Sequence, residues 1–120
     1  MPFKALLKEL VTSVQGASGA ILLESDGEAV QWYTDAAVER LRLRAAYIAL
    51  VLQGCRASTK QTKLGDMGCT ILQYDGASFL GQQIERDYFL VIELDSTANV
   101  GQAIHRIQPA VASIRRELTE

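Results

Sequence analysis

One segment constrains this chain more than any other. Residues 36–55 hold no proline and no glycine before Gly54, and they carry apolar side chains on two faces of a helix. Val38, Leu41, Ala45, Ile48, Leu52 and Cys55 follow one another by threes and fours, the stripe of a helix packed along a partner. Leu43, Ala46, Tyr47, Leu50 and Val51 form a second, largely apolar face. A helix lying on a sheet needs one such stripe, so a helix with two has to be covered twice.

The elements around it are legible from periodicity and turn residues. A first helix is expected over residues 3–14, where Phe3, Leu6, Leu7, Leu10 and Val14 repeat at helical spacing, ended by the glycines between 16 and 19. A hairpin follows, with strands at 20–23 and 29–34 around Asp26-Gly27. The long helix, expected at 36–55 with Asp35 as its N-cap, leads into a polar loop over 56–68 that carries Lys60 and Lys63. Strands are expected at 69–74, 78–85 and 88–94, turning at Asp75-Gly76 and Arg86-Asp87. A last helix over 98–118 follows a Ser96-Thr97 capping signal. Pro109 interrupts its hydrogen bonding and should kink it, but the apolar series Val100, Ile104, Ile107, Val111, Ile114, Leu118 stays in phase.

The order is αββαβββα. The fold class expected is α+β: a five-stranded antiparallel sheet with the long helix on one face and the terminal helices on the other. Residues 1–120 are read as a single domain. Two helices on one face leave nothing in one protomer to cover the second stripe, so a second copy related by a two-fold axis is expected to do so. The expected dimer contacts are Val38, Leu41, Ala45, Ile48, Leu52 and Cys55, with Thr70 and Leu72 from an uncharged third strand that pairs with its own copy. Ile48→Asp or Leu52→Asp should then separate the copies. The strand at 29–34 is similarly unprotected, so the sequence does not choose between the two edges.

Composition excludes other classes. With 48% hydrophobic and 22% charged residues the chain can bury a core. A net charge of −2 and a pI near 5.4 give no basic field for nucleic acid. Met1-Pro2-Phe3-Lys4 leads directly into an amphipathic segment, unlike a signal peptide, and the apolar run 47–52 is far shorter than the ~20 residues that span a bilayer. No membrane insertion and a cytoplasmic location are expected, with Cys55 and Cys69 as reduced thiols.

Catalytic patterns are missing. Gly16-Ala17-Ser18-Gly19 lacks the lysine of a nucleotide-binding loop and precedes a strand. His105 stands alone, without the clustered ligands of a metal site. Glu93 and Asp95 share a strand face and could pair, but they read more simply as the strand leaving the core. No cofactor and no catalytic residue is expected.

The strand Gly19-Ala20-Ile21-Leu22-Leu23 with its Asp26-Gly27 turn, the alanine-rich second helix, and Phe89-Leu90-Val91-Ile92 leading through Asn99-Val100-Gly101 into a helix resemble the Roadblock/dynein light chain family over nearly the whole chain. Pro109 departs from its uninterrupted last helix. The resemblance, closest to short prokaryotic members, implies homodimers that pair second helices and join third strands. It also implies a non-catalytic role as scaffold or activating partner of a Ras-like small GTPase. Arg40, Arg42 and Arg44 are the candidate GTPase contacts, set against the plainer reading of a solvated helix face. Two alternatives remain: a small-molecule sensor of profilin, longin or PAS type, and a structural subunit of a motor or signalling complex.

Overall fold

The computed structural model describes residues 3–119, the side chain of Lys60 excepted. Met1 and Pro2, used above for the leader reading, and the Lys60 part of the basic loop lie outside the described residues. The elements are α1 (Phe3–Ser13), β1 (Ala17–Glu24), β2 (Ala29–Thr34), α2 (Val38–Thr62), β3 (Cys69–Gln73), β4 (Ser78–Ile84), β5 (Tyr88–Leu94) and α3 (Val100–Thr119). The strands form one sheet in the order β2-β1-β5-β4-β3, and every neighbouring pair is antiparallel.

Alternation along the two central strands builds both layers. Ala20 and Leu22 of β1, with Leu90, Ile92 and Leu94 of β5, face Leu7, Leu10 and Val11 of α1 and Ala103, Ile107, Val111 and Ile114 of α3. Ile21, Leu23, Phe89 and Val91 face the other way, onto Leu41, Ala45, Ile48, Ala49 and Leu52 of α2. The expected architecture is therefore the observed one.

Local expectations change at several points, beginning with β1, which starts at Ala17 and takes in residues expected to form the turn after α1. α2 starts at Val38, and Ala37 precedes it without a side-chain cap, so Asp35 does not cap it. The helix then runs on to Thr62 through most of the expected loop. Ser58, Thr59 and Thr62 donate their hydroxyls to the carbonyls of Cys55, Arg56 and Ser58, which satisfies their polarity along the helix itself. Lys63 ends it in the left-handed region (φ 57°), with its N–H on the Thr59 carbonyl.

At the start of α3 the holding side chain is Asn99, whose Oδ1 accepts the Gln102 N–H at 2.9 Å, not Ser96 or Thr97. The β4–β5 turn takes three residues, with Glu85 at φ 54°, where two were expected. α3 passes unbroken through Pro109. Both Pro109 and His105 are exposed, so the carbonyl that loses its amide partner faces water.

Candidate interaction surface

The stripe of α2 expected to meet a second copy is the one the chain's own sheet covers. Leu41, Ala45, Ile48 and Leu52 are buried by the chain's own sheet, at 4% exposure or less. They cannot also hold a second copy. Val38 and Cys55 are half-buried beside them. The sheet admits them closely because two of its residues are glycines. A β-carbon on Gly81 would lie 2.7 Å from Leu52 Cδ1, and one on Gly19 would lie 3.1 Å from Leu41 Cδ2. The uncovered row is the other one. Leu43, Tyr47 and Leu50 are 62%, 65% and 63% exposed, and Val51 is 40% exposed. Ala46, on the same side, is half-buried near the β1–β2 turn at Gly27. Small Ala45 in the first stripe and Ala49 beside it were the available signal, since a helix needs small residues where it lies closest to a sheet.

The edges differ in a way the sequence does not reveal. Both β2 and β3 lie at an end of the sheet. On β2 the Gln31 side-chain oxygen accepts the Trp32 N–H at 3.0 Å, and the Arg42 guanidinium sits 4.7 Å from the Trp32 ring centroid. β2 is thus dressed by its own neighbours. No side chain among the described residues makes a hydrogen bond to the β3 backbone. Thr70 and Leu72 are half-buried, with Leu72 against the α2 layer, while Ile71 on the opposite face is 42% exposed.

The arginines expected to meet a GTPase are engaged within the chain. Glu93 lies on the α2 face of β5 and is 2% exposed. Its Oε2 accepts Arg44 Nη1 at 2.9 Å, Arg40 Nη2 lies 3.8 Å from Oε1, and Ser18 donates its hydroxyl to Oε1 at 2.8 Å. Arg42 is the one over Trp32. Arg40 and Arg44 keep 48% and 41% of their side-chain surface exposed, so they still present positive charge to solvent.

Glu93 and Asp95 do not pair. Glu93 is no sign of the strand leaving the core: it is the polar contact that joins α2 to the sheet. Asp95 is exposed and accepts the Thr97 hydroxyl and N–H, bonds that hold its carboxyl below the usual range.

Arg44 also forms one side of a groove of about 300 Å³ between α2 and the β3–β4 turn, walled by Tyr47, Ile48, Tyr74 and Phe79. Tyr74 meets Phe79 edge-on at 6.2 Å. The groove is therefore continuous with the exposed α2 row through Tyr47.

The remaining reactive groups do not converge. Cys69 donates to Gln82 Oε1 and accepts from Gln108 Nε2, and burial pushes its thiol pKa up. His105 is exposed on α3. Gly16, at φ 82°, closes the α1–β1 turn, where its carbonyl accepts the Asp95 N–H. Among the described residues one acidic trio, Glu24, Asp26 and Glu28, gathers at the exposed β1–β2 turn. No helix among them is long and apolar enough to cross a membrane.

This arrangement, with one helix over five antiparallel strands and the terminal helices beneath, is the Roadblock/LC7 fold. The chain is similar over 98% of its length to the Roadblock/LC7 domain from Streptomyces avermitilis, with a TM-score of 0.88, 18% identity and 98% of that chain covered. It is similar to MglB from Myxococcus xanthus over 99% of its length, with a TM-score of 0.87, 13% identity and 96% of that chain covered. MglC from the same organism matches over 98% of this chain and 99% of its own, with a TM-score of 0.74 and 21% identity. No family model and no curated protein sequence matches the chain.

Proposed function

We propose that this chain acts as a single-domain, non-catalytic adaptor that pairs with a second copy and docks a Ras-like small GTPase. The observation that carries the reading is the exposed row Leu43, Tyr47, Leu50 and Val51 on a helix whose other stripe is already buried. Four such side chains from each of two copies contribute roughly 7–14 kcal/mol, once the part already buried is taken off. Association costs about 4–15 kcal/mol. The helix row alone therefore gives a marginal dimer, and the open β3 edge supplies the rest through strand pairing. Likeness of fold to the Roadblock/LC7 domain and to MglB and MglC supports the reading, as does the family resemblance of the sequence.

The GTPase would meet the α2 side, where Arg40 and Arg44 offer charge around the Tyr47 groove. Because both arginines answer to Glu93, they are held in place before a partner arrives. The test is a binding and hydrolysis assay with a Ras-like GTPase from the same genome. Saturable binding that depends on Arg40 supports the adaptor. Absence of binding to every such GTPase overturns the GTPase part, and a monomer at micromolar concentration overturns the pairing.

A further inference from the structure

Gly54 sits exposed within α2, and nothing in its own chain accounts for it. A β-carbon built there would meet no atom within 4 Å. The helix continues beyond it to Thr62, so it ends nothing. Glycine is among the poorest residues for a helix interior, and a position with open space on its own chain would be better served by alanine. The described residues thus offer no reason for the glycine.

Its place in the row supplies one. Leu43, Tyr47, Leu50, Gly54 and Ala57 follow at alternating spacings of four and three, the seam of a helix that lies along another. Leu43, Tyr47 and Leu50 are large and well exposed, whereas Gly54 and Ala57 are small and exposed. A second α2 running antiparallel about a two-fold axis sets the small end of each row against the large end of the other.

We infer that Gly54 is the point of closest approach between the α2 helices of two copies, its bare backbone receiving Leu50 of the second copy while Ala57 receives Tyr47. This rests on the self-association proposed above and assigns its register. It also gives the last turns of α2 something to pack on.

Sedimentation equilibrium on the full chain separates the cases. Gly54→Ala should weaken the dimer about tenfold, because a methyl group is forced into a closed contact. Gly54→Leu should leave monomer. In the monomeric Leu50→Asp background the same Gly54→Ala change should raise Tm by about 3–6 °C, since helix propensity improves and no contact is lost. A Gly54→Leu protein that dimerises as tightly as the wild type, while Leu50→Asp is monomeric, overturns this register and leaves the pairing intact. A monomeric wild type overturns both.

Discussion

Glu93 shows how one residue can tie a helix to a sheet. A carboxylate at 2% exposure is costly unless charged donors satisfy it. Arg44 at 2.9 Å is its main partner, with Ser18 beside it. Removing Arg44 leaves a buried charge with Ser18 and the more distant Arg40. Arg44→Ala is therefore expected to lower stability by about 1–3 kcal/mol, read as a fall in urea midpoint, and Arg40→Ala by about 0–1 kcal/mol.

Two other residues titrate distinctively. Cys69, with its thiol pKa raised by burial, should alkylate more slowly at pH 8 than a free small-molecule thiol. Its share of stability is full below the unfolded thiol pKa and is lost as pH rises through the folded one. Asp95 runs the opposite way. Its folded pKa is lowered, so its Thr97 bonds stabilise above the unfolded carboxylate pKa and are lost as pH falls through the folded value, which an Asp95→Asn urea series between pH 2 and 6 would register.

At the scale of the element, α2 carries two faces with opposite mutational signatures. Leu52→Asp puts a charge against Gly81 in a filled layer and should cost more than about 4 kcal/mol, as judged by loss of cooperative unfolding. Leu50→Asp lies in solvent on the lone protomer. It should change protomer stability by less than about 0.5 kcal/mol while removing the dimer.

Both stripes are legible in the sequence, but the one expected to be shared, Leu41, Ala45, Ile48 and Leu52, is the one the sheet buries. Hydrophobic period alone cannot rank two stripes. The ranking follows from Gly19 and Gly81, which lie far away in sequence and open the sheet to Leu41 and Leu52. The extension of α2 to Thr62 was hidden for a related reason. Ser58, Thr59 and Thr62 look like loop residues until their hydroxyls fold back on the helix.

For the molecule as a whole, the expected solution mass is twice the 13.1 kDa of one chain, with a Tm that rises with protein concentration. A concentration-independent Tm at the monomer mass contradicts this. The layers were readable from the element order, and the strands that are apolar on both faces, β1 and β5, do lie inside the sheet, but the strand order itself was not read. The arginine cluster was not readable, since its partner Glu93 lies 49 residues beyond Arg44 and looked like a strand end. Nor was the choice of edge.

That choice has a consequence for how large an assembly can become. With the Trp32 amide already occupied by Gln31 and its ring covered by Arg42, strand addition at β2 is hindered at Trp32. In the pair proposed above, joining two copies through β3 would use up the open edges and leave a β2 at either margin of a ten-stranded sheet. In that pair growth would stop at β2, and Gln31→Val should make the protein slowly fibrillise under conditions where the native sequence stays finite.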